Sequence, residues 1–98
     1  EQSALGITVR DLAADRLEVL GVEAGAEVVA VSGIAEEAGM RVGDVVLRMK
    51  GKVIADAQTL QEVAESAEPG DVVPVLVLRQ QGNNVLRSYI TLRVPEDD

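Results

Sequence analysis

The run Ala38-Gly39-Met40-Arg41-Val42-Gly43-Asp44-Val45-Val46-Leu47 (38–47) decides how this chain folds. Two glycines stand four residues apart, an acid follows the second, and three aliphatics follow the acid. Glycine reaches left-handed backbone conformations without a Cβ clash, so Gly39 is expected to close a single helical turn over 33–40. Met40, just past that stop, is expected to pack down against the turn. Val42-Gly43-Asp44 reads as a tight turn, with Asp44 bonding nearby backbone N–H groups. Val45 and Val46 then open a β-branched strand over 45–49 that enters the core.

Upstream, Val28-Val29-Ala30-Val31-Ser32 is a buried strand by the same β-branched logic, after a loop over 22–27. Ala13, Leu17 and Leu20 fall at helical spacing and Gly21 supplies a stop, which predicts a short helix over 13–20. Residues 5–12 alternate, with Ile7 and Val9 apolar and Thr8 and Arg10 polar, so they read as a strand with one wet face. Downstream, Lys50-Gly51 is a hairpin turn into Val53-Ile54. The clearest helix spans 56–67: Asp56 can cap it, and Leu60, Val63, Ala64 and Ala67 form one apolar stripe. Pro69-Gly70-Asp71 breaks it. Two strands follow, 72–79 and 85–94, joined by a turn over 80–84. Pro74 lacks an N–H and marks an edge or a non-bonded position. Runs of strands without βαβ alternation predict an α+β domain: a small, five- to six-stranded antiparallel sheet or open barrel capped by two helices. Residues 1–98 are expected to form one domain, with its core over about 4–94 and a frayed tail at 95–98.

Composition narrows the function. The chain has 98 residues, 47% of them hydrophobic, with no Phe or Trp and one Tyr, so the core must be aliphatic. Nine basic against seventeen acidic residues give a net charge of −8, which argues against nucleic acid and against a polybasic membrane anchor. No stretch approaches the roughly 20 apolar residues of a membrane span. With no His and no Cys, the nucleophilic triads and imidazole or thiolate zinc sites are excluded. Glu36-Glu37, Glu62, Glu65 and Asp97-Asp98 read as solvated faces, not convergent acids. No catalytic residue, metal or cofactor is expected of this chain.

The 38–47 run resembles the A-G-Φ-x-x-G-D-Φ-Φ-Φ run of PDZ domains. Three further features resemble the family in order: the Φ-G-Φ loop Leu5-Gly6-Ile7, a helix of about twelve residues, and Pro69-Gly70-Asp71 leading into a strand hairpin. The Φ-G-Φ loop opens the chain and the hairpin closes it. That circularly shifted order is similar to the PDZ domains of bacterial HtrA/Deg-type serine proteases, and the segment 59–79 is especially like them. The resemblance implies a PDZ-like fold excised from a periplasmic serine endopeptidase. Its catalytic domain would lie outside this chain. The linker-like start and the Pro95-Glu96-Asp97-Asp98 end lead to the expectation of a second, C-terminal PDZ domain.

The same resemblance implies capture of protein C-termini or unfolded segments by β-strand addition, for substrate recognition or regulation in protein quality control. The amides of Leu5, Gly6 and Ile7 would hold the ligand's terminal carboxylate, and Ile7, Thr8 and Val9 would form the receiving edge. By helical angle, Leu60 and Ala64 point to the core, while Thr59, Val63 and Ser66 or Ala67 face the groove. Leu5, Ile7 and Val63 would then line an aliphatic pocket that prefers Val, Leu, Ala or Ile at the ligand's end. The other reading is an assembly module that contacts the parent protease domain and neighbouring subunits and binds little free peptide. Arg10 and Arg48 read as solvated strand faces. The family's usual G-S-P-A stretch is replaced by Ser32-Gly33-Ile34-Ala35-Glu36-Glu37, without the proline and about two residues short. With −8 overall and no cation in Glu1-Gln2-Ser3, binding is expected at roughly tens of micromolar or weaker.

Overall fold

The computed structural model describes residues 6–95. Along the chain run β1 (Ile7–Asp11), α1 (Ala14–Leu20), β2 (Ala26–Val31), α2 (Gly33–Glu37), β3 (Val45–Met49), β4 (Lys52–Val53), α3 (Ala57–Glu65), β5 (Val72–Gln81) and β6 (Asn84–Arg93). All six strands join one antiparallel sheet in the order β1-β2-β3-β5-β6, with β4 paired to β3. The architecture is the α+β one read from the sequence, and the helices expected over 13–20, 33–40 and 56–67 all form, as α1, α2 and α3.

One sheet face carries the main core. Ile7, Val28, Val46, Met49, Val75, Val77 and Leu92 meet Leu60, Val63 and Ala64 of α3 and Ala35 of α2 there. On the opposite face a smaller cluster of Leu12, Val45 and Leu78 is covered by Leu17 and Leu20 of α1. No aromatic takes part in either cluster, as the composition requires.

The 38–47 run behaves as its residue types dictate. Gly39 takes φ +101°, and the Met40 N–H donates to the Ala35 carbonyl at 3.1 Å, closing α2. The Met40 side chain is buried. Asp44 is 2% exposed and accepts the Arg41 N–H at 3.0 Å. It also receives a fork from Arg79 on β5, Nε to Oδ1 at 2.9 Å and Nη2 to Oδ2 at 2.7 Å. The same Nη2 donates to the Gly39 carbonyl at 2.9 Å. The partner of this acid thus lies 35 residues away, and the turn is riveted to the sheet through it.

Several boundaries differ from the sequence reading, three of them for a visible reason. β2 starts at Ala26, not 28, because Glu27 pairs across strands with Arg10 and accepts its Nε at 2.8 Å. The final hairpin is tighter: Gln81 pairs with Asn84, leaving Gly82 (φ +61°) at the first loop position, where a II′ turn wants glycine. α3 ends at Glu65, and the Ser66 hydroxyl donates to the Val63 carbonyl at 2.7 Å as the helix closes. Pro74 lies in an interior strand between β3 and β6, not at an edge. Its carbonyl accepts the Lys50 N–H at 2.8 Å, so its own N-side faces the turn beyond the last β3 rung, Met49–Val75. Proline is tolerated there because the β3–β5 ladder has already ended at Met49–Val75, so its missing N–H breaks no rung.

Two half-buried carboxylates brace segment ends. Asp56 caps α3, accepting from the Thr59 hydroxyl at 2.7 Å and the Thr59 N–H at 2.8 Å, and these bonds hold its pKa below the ordinary carboxylate value. Asp71 is lowered by the Glu68 N–H and then by Lys50. A carboxyl whose pKa is depressed by folding adds stability above its unfolded value, near 4, and loses it as pH falls through the folded value. Thermal midpoints should therefore fall with acidification below about pH 4, and less steeply in Asp56→Asn. Equal slopes for the two proteins would remove the cap from the acid response.

Candidate functional site

β1 is one edge of the sheet, with β6 at the other, and among the described residues it pairs with β2 alone. Its alternation places Ile7 in the core, 1% exposed, with half-buried Val9 packed against it. Thr8 is half-buried and Arg10 exposed. The register shifts between Thr8 and Val9, leaving Val29 as an extra residue on β2, and such a bulge sharpens the local twist.

α3 packs alongside this edge, and Asp11 fixes the alignment. Its Oδ1 accepts the Ala57 N–H at 2.9 Å, so the end of β1 ties to the first turn of α3 across 46 residues. Nothing in the sequence could signal that bond, because its two partners are local to different elements.

At the entrance to β1, Gly6 adopts φ +83°, and its carbonyl accepts the Ser32 N–H at 2.8 Å. A Cβ added at Gly6 would overlap the Ser32 carbonyl oxygen. Glycine is thus required here twice over, by its backbone angle and by the close approach of another backbone. The glycine in Leu5-Gly6-Ile7 was legible as a special position; the Ser32 approach that makes it so was not.

The remaining predicted residues divide as follows. Leu60 and Ala64 face the core, both fully buried. Val63 is nearly as buried, 5% exposed, and belongs to the same cluster as Ile7, so it offers only a thin strip of surface. Thr59 is half-buried on the α3 flank with its hydroxyl donating to Asp56. Ser66 is exposed, and Ala67 is half-buried against the core. Leu5 lies outside the described residues. Arg10 spends its guanidinium on Glu27, in keeping with a strand-face role. Among the described residues there is no group of acids able to hold a metal, and no helix long and apolar enough to cross a membrane.

Similarity to known proteins extends over nearly the whole chain. The family model for the PDZ domain matches residues 3–90. Two curated proteins named probable periplasmic serine endoprotease DegP-like are similar. The one from Pseudomonas putida (strain W619) is 32% identical over 93 residues, and the one from Pseudomonas fulva (strain 12-X) is 31% identical over 98. The alignments cover 94% and 96% of this chain but only 19% and 20% of those proteins, so the chain spans about a fifth of their length. Among solved structures, the HtrA-type protease AlgW with decapeptide is 26% identical with a TM-score of 0.74, covering 99% of this chain and 30% of that one. The HtrA3 PDZ domain bound to a phage-derived ligand (FGRWV) has a TM-score of 0.67 at 24% identity, covering 93% of this chain and 82% of that one, a likeness of fold.

Proposed function

This chain belongs to the PDZ domain family, and on that premise we propose that it is the peptide-capturing module of a periplasmic, DegP-like serine protease. It is not itself the catalytic unit, and the proteolysis belongs to a domain outside this chain. The carrying observation is an edge strand, β1, that lies beside α3 and opens on a glycine at which any side chain would be strained. An edge strand presents backbone donors and acceptors to an incoming strand, and a peptide can add to it by β-augmentation. In this reading Leu5, Gly6 and Ile7 hold the terminal carboxylate, Ile7, Thr8 and Val9 receive the peptide backbone, and Thr59, Val63, Ser66 and Ala67 form the opposite wall. In this reading the end of the groove is aliphatic and prefers aliphatic last residues, although Ile7 (1% exposed) and Val63 (5%) lie in the core and meet it through only a thin strip of surface. Residues 1–98 act as one such domain, exported with the protease to the periplasm.

The test is an amide-shift titration with a short peptide ending in Val and with its C-terminally amidated twin. Shifts concentrated along residues 5–9 and 59–67 are expected for the free acid only, with a dissociation constant of roughly tens of micromolar or weaker. Equal, absent or scattered shifts would overturn carboxylate capture and favour a domain that serves assembly. A peptide array in which charged or aromatic last residues bind better than aliphatic ones would overturn the pocket assignment.

A further inference from the structure

We propose that the cleft bounded by α1, the 41–44 turn and the tip of the β5–β6 hairpin is a second binding site, which takes the side-chain carboxylate of an acidic protein segment. The cleft has a volume of about 480 Å³, and its lining includes Arg16, Arg41, Val42, Asp44, Arg79 and Gln80. Three guanidiniums against one carboxylate leave this lining two positive charges in excess, on a chain whose net charge is −8.

The three arginines are not equivalent. Arg79 is committed to Asp44 and to the Gly39 carbonyl, and it forms the rigid wall. Arg41 is exposed, and its side chain has no ion-pair or hydrogen-bond partner among the described residues. Arg16 is under-satisfied: Nη1 donates to Gln80 Oε1 at 3.0 Å, Nη2 stands 4.0 Å from Glu27, and Nε is buried with no partner. Guanidiniums offer five donors in a planar fork suited to carboxylates. An incoming carboxylate would accept from the exposed Arg41 guanidinium and from the Arg16 Nη groups, which are held by a single neutral hydrogen bond and a 4.0 Å ion pair, and would relieve the repulsion among the cations. The chain's overall negative field opposes the approach, but it is screened over about 8 Å at physiological salt, so the local excess decides.

Val42, 63% exposed, sits on the rim beside the glutamines. Apolar contact and amide hydrogen bonding next to the cations suit a peptide better than a bare phosphate. α1 lies on the sheet face opposite the one α3 covers, so occupation of the β1–α3 groove leaves this cleft open. The proposal therefore stands independently of terminal-carboxylate capture.

The experiment titrates the whole chain with acetyl-Gly-Asp-Glu-Leu-Gly-amide, whose blocked ends offer no terminal carboxylate, and with its Asn-Gln twin. Arginine Nε–H and backbone amide resonances are the readout. Shifts are expected at the Arg16, Arg41 and Arg79 Nε–H and at Gly43 and residues 80–82, and the twin should produce none. Arg16→Gln and Arg41→Gln should each weaken binding by about tenfold. Arg41→Gln leaves every hydrogen bond of the fold in place, so its thermal midpoint should match the parent's. Shifts that are absent, scattered over other arginines or equal for the twin would overturn the site. Shifts with inorganic phosphate but not with the acidic peptide would overturn the choice of ligand.

Discussion

Arg79→Met is expected to destabilise the chain by about 3 kcal/mol, the range seen when one partner of a buried ion pair is removed. Asp44 is 2% exposed, whereas a quarter of the Arg79 side chain meets solvent. The larger part of the loss therefore falls on the acid, a charge left in the interior with only the Arg41 N–H to solvate it. The Gly39 carbonyl also loses its donor. For a domain of this size such a loss lowers the thermal midpoint by roughly 12 °C or more. The ion pair holds the arginine charged, its pKa raised chiefly by the Asp44 hydrogen bonds, so the effect should persist across neutral and alkaline pH. A double-mutant cycle checks the mechanism. Arg79→Met with Asp44→Leu should cost less than the sum of the two single changes, because the second removes the stranded charge. Additive losses would show that the two side chains act separately and that the fork does not hold the turn.

That pair also marks where the sequence stops being readable. The turn itself was legible in Gly39, Gly43 and Asp44, since each residue type answers a local backbone demand. Its partner was not, because any of nine basic residues could have faced Asp44 and only the β3–β5 register selects Arg79. The same holds for the site. The period-two pattern of β1 and the apolar stripe of α3 are local signals, and they placed Ile7, Val9, Leu60 and Ala64 correctly with respect to the core. The depth of Val63, the Asp11–Ala57 bond and the Ser32 approach to Gly6 depend on how two elements meet. Pro74 is the instructive case: the missing N–H predicts an edge or a non-bonded position, yet the strand lies inside the sheet and proline escapes the ladder by standing past its last β3 rung, which is a property of topology, not of proline.

Gly6→Ala should damage the groove more than any comparable glycine substitution. Gly6 and Gly21 share a left-handed backbone, at φ +83° and +70°. A side chain at such an angle costs about 1–2 kcal/mol wherever it occurs. At Gly21 that is the whole cost, since an added Cβ meets nothing within 4 Å. At Gly6 the Cβ overlaps a backbone oxygen, which cannot swing aside as a flexible side chain would. Either the Gly6–Ser32 hydrogen bond opens or the entrance to β1 moves away from β2. Gly6→Ala should therefore be less stable than Gly21→Ala by roughly a further 1–3 kcal/mol, the usual cost of overpacking. The shift also displaces the loop proposed to receive the terminal carboxylate. Affinity for a Val-ended peptide should drop by at least about tenfold, since a misplaced charged hydrogen bond alone is worth that much, while Gly21→Ala binds as the parent does. Equal stability losses would show that Ser32 yields without cost. An unchanged affinity in Gly6→Ala would move the carboxylate site away from this loop.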